Sequence, residues 1–99
     1  MEVLKPYRAQ IDALDDQIID LLAKRLAVVD EVAQVKAARD IPAVLEDRIA
    51  EVIDRCADRA SEKGVDPELA RRIYAVIVGW CCEREDEYIH SADSRTAAR

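Results

Sequence analysis

Two long cations stand where a helix would bury apolar side chains. From Pro6 to Asp40 the chain has no glycine and no further proline, and apolar residues recur at Tyr7, Ile11, Leu14, Ile18, Leu21, Val28, Val32 and Val35. That alternating four-and-three spacing is the seam of a packed helix. Between Leu21 and Val28, where the seam calls for another apolar residue, the chain has Arg25. Lys36 lies close to three helical turns further on, so the two side chains project in nearly the same direction and can converge on one pocket. A third charge breaks a later stripe: Glu85 falls one turn beyond Cys81 on a line that continues to Tyr88. An inward carboxylate is costly unless it is paired or protonated. Arg8 flanks the first seam too, but it is roughly 25 Å from Arg25 along a helix, so it can join the same site only from a second chain.

The structural account of these charges is that Arg25 bridges an acid such as Glu85, or snorkels to solvent past its aliphatic stem. For one such residue that account would be preferred. Several inward charges around so small a core tip the balance towards a pocket for a polar ligand, in which Arg25, Lys36 and Glu85 carry the chemistry.

The elements that must position them are three helices. The first, some thirty-odd residues ending at Ile41-Pro42, would be roughly 50 Å long, more than a chain of 99 residues can cover by itself. It calls for another chain beside it. A short connection runs to about Val44, and a second helix begins near Leu45, with apolar positions at Leu45, Ile49, Val52, Ile53, Cys56 and Ala60 and a left-handed stop at Gly64. Asp66, Pro67 and Glu68 form the clearest start signal in the chain, as N-cap, first helical residue and first-turn acid. Helix three is predicted to run to about His90, with Leu69, Ile73, Tyr74, Val76, Ile77, Trp80, Cys81 and Tyr88 inward. The helical domain so read covers residues 1–91, and residues 92–99, ADSRTAAR, form a flexible tail without an apolar face. The fold class is all-α: a three-helix chain with one long N-terminal helix, completed as an intertwined homodimer.

Composition narrows the function. Apolar residues make up 51% and charged residues 36%, which suits a folded helical protein. A formal charge of −6 with interspersed Lys and Arg argues against nucleic acid as a partner. The amino terminus lacks the apolar core of a signal peptide, and the longest apolar stretch, Tyr74 to Cys82 interrupted by Gly79, is too short to span a bilayer. The expected location is the cytoplasm, with no membrane partner. Cys56, Cys81 and Cys82 show no metal-binding spacing, His90 is the one histidine, and no cysteine has a base at a recognisable distance. No metal, cofactor or covalent nucleophile is therefore expected.

With Arg8, Ile11, Leu14, Asp15, Leu22, Arg25, Val32, Lys36 and Arg48 in register across YRAQIDALDDQIIDLLAKR, VAQVKAARDIP and RIYAVIVGWCCEREDEY, the sequence resembles the helical chorismate mutases. Their relatives, the isochorismate-pyruvate lyases and 4-amino-4-deoxychorismate mutases, share the pattern. The resemblance implies a dimer with two equivalent sites, each built mainly by one chain and completed by Arg8 of the other. It implies that Arg25 and Lys36 bind the substrate, that Glu85 occupies a position usually held by glutamine, that Cys81 lies near the substrate, and that Arg48 belongs to neighbouring structure rather than to chemistry. The implied reaction rearranges a small dicarboxylate: an ether bond breaks as a carbon-carbon bond forms, so arginines clamp the carboxylates and an ammonium faces the ether oxygen. Glu85 could donate a second hydrogen bond to that oxygen only when protonated, which predicts faster turnover at mildly acidic than at alkaline pH.

The sequence departs from the mutase pattern after Arg48, where Ile49 replaces a glutamate that contacts the ring hydroxyl of the substrate. An apolar residue there resembles the lyases and the amino-deoxychorismate subgroup. The spacing from Pro42 to Arg48 keeps the mutase length, and with the CEREDE run it favours 4-amino-4-deoxychorismate over chorismate as the substrate. The lyase, releasing pyruvate from isochorismate, is the alternative enzyme. A non-catalytic helical dimerisation module is the alternative of another class, for which the seam alone would suffice.

Overall fold

A computed structural model describes residues 1–97, with side-chain surroundings through Asp93. After a single 3-10 turn, Glu2–Leu4, come three helices: α1, Lys5–Ala38; α2, Glu46–Glu62; and α3, Pro67–Ala97. No strand occurs among the described residues, and no helix there is long and apolar enough to cross a membrane.

The breaks are written in local chemistry. Ala38 is followed by Arg39 and then Asp40 with φ +55°, and the Ile41 amide donates to the Lys36 carbonyl at 2.9 Å. This is a left-handed stop of the Schellman kind with aspartate in the place glycine usually takes, two residues ahead of the proline. Gly64, φ +74°, closes α2 the same way, with the Gly64 amide on the Ser61 carbonyl and the Val65 amide on that of Ala60. Asp66 caps α3 through its Oδ1, which accepts from the Glu68 amide at 2.9 Å.

α3 is the middle element. α1 and α2 both pack on it and make no contact with one another. Alanines sit at the tightest approaches: Ala33 of α1, Ala57 of α2 and Ala70 of α3 are among the most buried residues, and small side chains let helix axes come close. Val52 of α2 and Val78 of α3 fill the space beside them, each contributing about 1.5 kcal/mol or more by burial.

Three readings from sequence are corrected here. The inward line of α3 is Ala70, Tyr74, Ile77, Val78, Cys81, Cys82 and Glu85, which includes the expected Tyr74, Ile77 and Cys81, whereas Leu69, Ile73, Val76, Trp80 and Tyr88 stay exposed. α3 carries apolar residues on two faces, and a single chain covers one. α3 also continues to Ala97, beyond the His90 end predicted for it, so the part of the expected tail at 92–97 is helical; positions 98 and 99 lie outside the described residues. Finally, α1 turns Leu22, Arg25, Leu26, Val29 and Ala33 towards α3, so its seam from Tyr7 to Val35 is exposed along its whole length.

That exposure shapes the molecule. Residues 1–21 are all exposed, and the chain extends 63 Å along its longest axis. Its radius of gyration is 17.8 Å, against about 13 Å for a compact chain of this length.

Candidate functional site

Because α1 and α2 meet α3 without meeting each other, a gap is left between them, floored by α3. This gap is a cleft of about 440 Å³. Its walls are mostly aliphatic, from Val28, Val29 and Val32 of α1 and Ile49 and Val52 of α2, with Val78 and the two thiols of α3 below. Into this apolar surround project four cations, Arg25, Lys36, Arg48 and Arg55, and one carboxylate, Glu85.

The near-equal direction of Arg25 and Lys36 on α1 brings both to the cleft, as their spacing requires. Lys36 is the better fixed. Its Nζ lies 2.7 Å from Glu85 Oε1 and donates to the Ala43 carbonyl at 2.9 Å. The second contact ties the α1–α2 connection, where Ala43 is buried, over the end of the cleft. Glu85 is 6% exposed. Its Oε1 touches the ammonium without the alignment of a hydrogen bond and has no other partner among the described residues, so it retains capacity to accept from, or when protonated donate to, a bound molecule.

Arg25 does not bridge Glu85, as the structural account from sequence had it; Lys36 takes that acid. Arg25 Nη1 instead points at Cys81 Sγ, 3.4 Å away. A thiol is a weak acceptor, so the guanidinium keeps most of its fork unsatisfied beside apolar walls. Cys82 next to it is held protonated: burial, and then the Glu85 carboxylate, push its thiol up. It is correspondingly a poor nucleophile.

Of the residues singled out in the sequence, Arg25, Lys36, Ile49, Cys81 and Glu85 all line this one cleft. Arg8 does not; it is exposed in the first turns of α1, away from the gap. Two residues were not anticipated. Arg48, read as neighbouring structure, stands on the α2 wall, ion-paired with Glu51. Arg55 stands two turns further along the same face. The i, i+7 spacing of the two arginines on either side of Val52 was the available signal.

The arrangement suits one kind of ligand: a small anion with apolar bulk, held by cations in a gap with mostly aliphatic walls. Among the four cations of the cleft, Lys36 is the one directed by two protein contacts, which fits it to meet charge at a defined atom.

Comparison with known proteins agrees with that chemistry. The family described as chorismate mutase type II matches residues 7–86. A 4-amino-4-deoxychorismate mutase of Streptomyces pristinaespiralis is 33% identical over 89% of this chain and 68% of its own length. Another, from Streptomyces venezuelae, is 32% identical over 95% of this chain and 90% of its own. A chorismate mutase of Methanocaldococcus jannaschii is 24% identical over 96% of both chains.

Proposed function

The chain belongs to the type II chorismate mutase family, and from that premise we propose that it rearranges 4-amino-4-deoxychorismate to 4-amino-4-deoxyprephenate, as a homodimer of the cytoplasm. The reaction is an isomerisation in which one ether bond breaks and one carbon-carbon bond forms within the substrate. No group has to be transferred to the protein. The work of the site is to hold a dianion in its compact conformer and to meet the charge that grows on the ether oxygen.

The observation that carries this reading is the Lys36–Glu85 pair, 2.7 Å apart in an aliphatic cleft that also holds the half-satisfied Arg25. Arg25 has free donors for one carboxylate. The partner's Arg8 supplies the fork for the other, since Arg8 of the same chain is remote from the cleft. Lys36 directs its third proton at the ether oxygen, and Glu85, once protonated, adds a second donor. Bidentate contacts make Arg25→Lys and Arg8→Lys more damaging than a conserved charge suggests. Ile49 presents no hydrogen-bonding group where the ring substituent of chorismate would need one, and this, with the two Streptomyces relatives, supports the amino substrate over chorismate.

The dimer is supported by the bare seam of α1. Tyr7, Ile11, Leu14, Ile18 and Leu21 form an exposed apolar stripe of a kind monomeric soluble proteins rarely leave uncovered. A second α1 crossing it would cover the stripe and carry Arg8 towards the other chain's cleft.

The test is to offer the purified protein 4-amino-4-deoxychorismate, chorismate and isochorismate separately and compare kcat/KM. The amino compound is expected to be turned over best. Chorismate as the best substrate would move the protein to the parent reaction, and pyruvate released from isochorismate as the fastest process would replace the mutase with a lyase.

A further inference from the structure

We propose that Arg55 is a capture residue: its unpaired guanidinium on the α2 wall of the cleft draws the dicarboxylate in ahead of Arg25 and Lys36. The identity of that dianion rests on the functional reading above.

The arginines around Arg55 all hold acids. On α2, Arg48 pairs with Glu51 and Arg59 with Glu62, and Arg71 of α3 reaches across to Asp54 at 2.8 Å. Arg55 has Glu51 one turn before it and Asp58 one turn after it, spacings at which helical ion pairs form. Among the described residues it makes no ion pair and no hydrogen bond, and it lines the cleft instead.

The charge balance of the cleft shows what that freedom does. Lys36 is offset by Glu85 and Arg48 by Glu51, which leaves Arg25 and Arg55 as the uncompensated cations. Arg25 is partly buried and Arg55 exposed, so Arg55 is the charge an incoming anion feels first. The chain as a whole carries −6. A dianion approaching from solvent is repelled unless the cleft mouth reverses the potential locally, and an exposed, unpaired guanidinium does so. Such an effect is long-range and screened by salt: the Debye length shrinks from about 10 Å at 0.1 M to about 3 Å at 1 M. It acts on capture, and the chemical step stays with Lys36.

The experiment uses the full chain with Arg55→Gln and Arg55→Lys, and with Arg59→Gln as a matched loss of charge outside the cleft. For the best of the three substrates, kcat/KM is measured at low and at high ionic strength, about 0.02 M and about 0.5 M. Arg55→Gln is expected to lose about threefold to tenfold in kcat/KM at low salt, with kcat unchanged and the gap closing at high salt. Arg55→Lys should keep most of the wild-type value, because capture needs the charge and not the fork, and Arg59→Gln should change little. An equal loss at both salts, a fall in kcat, an equal effect of Arg59→Gln, or no loss at all would overturn the proposal. So would concentration-dependent dissociation of Arg55→Gln in sedimentation, which would make Arg55 an interface residue. If none of the three substrates is turned over, the reaction assignment fails separately. Capture is then read from calorimetric titration of prephenate into wild type and Arg55→Gln at the two salts, where equal Kd values, or no binding to wild type, would overturn it.

Discussion

Lys36 and Glu85 depend on each other, and their variants separate stability from activity. Lys36→Met leaves a buried carboxylate without its cation and is expected to cost about 3–5 kcal/mol in denaturant unfolding. Adding Glu85→Leu to it should recover much of that stability while activity stays absent. Recovery of both would remove Lys36 from the chemistry. Glu85→Gln keeps the shape of the side chain and gives it a permanent N–H donor, so kcat should fall less than in Glu85→Leu; an equal loss in the two variants would sink a hydrogen-bonding role for this position. The convergence of Arg25 and Lys36 was legible in the sequence because a helical period fixes direction. Which cation would take Glu85 was not, since that depends on where α3 crosses α1. Arg48 and Arg55 escaped for a related reason: an arginine on an acidic helix reads as a solvated face until the neighbouring helix leaves a gap under it.

Among the elements, the signals with a covalent or steric cause were the readable ones. Gly64 and the Asp66-Pro67 pair end α2 and begin α3 where the sequence places them. Asp40 was read only as the neighbourhood of Ile41-Pro42, yet it is the residue that turns left-handed, at φ +55°. Asp40→Gly is expected to raise stability by up to about 1 kcal/mol in chemical unfolding, because glycine adopts that conformation without strain. The inward line of α3 was misread because two of its faces are apolar, and hydrophobic period alone does not say which face the same chain covers. α1 and α3 are also joined by Arg84, which donates to both oxygens of Asp30 at 2.6 and 2.9 Å and lies over the Trp80 ring. The hydrogen bond from Arg84 holds the Asp30 carboxyl below its ordinary value of 3.8. A carboxyl depressed in the folded state binds its proton more readily when unfolded, so this contribution is present above 3.8 and is lost as pH falls through the folded value. The pair is exposed and its effect correspondingly small. Asp30→Asn should make the acid limb of the stability profile shallower and leave neutral pH nearly untouched, and a steeper acid limb would contradict it.

At the scale of the molecule, what matters is which chain completes which cleft. If the partner's Arg8 closes the site, Arg8→Ala and Arg25→Ala homodimers should each be inactive. Refolding the two chains together in equal amounts should restore about a quarter of wild-type activity, because half the dimers are mixed and each mixed dimer has one intact site. No recovery from such a mixture would place both arginines in the same chain's site. The all-helical class and the long first helix were legible from the absence of glycine and proline. The 63 Å extent of the chain was foreshadowed by the length of α1 alone.

The bare first half of α1 also bears on how the protein comes into being. With residues 1–21 all exposed, a lone copy has little beyond that segment's own backbone hydrogen bonds to hold it in place, and in the proposed homodimer maturation becomes a two-body event. Recovery from denaturant should accelerate as chains are made more abundant. Two separately tagged populations, once mature, should exchange subunits no faster than they come fully apart.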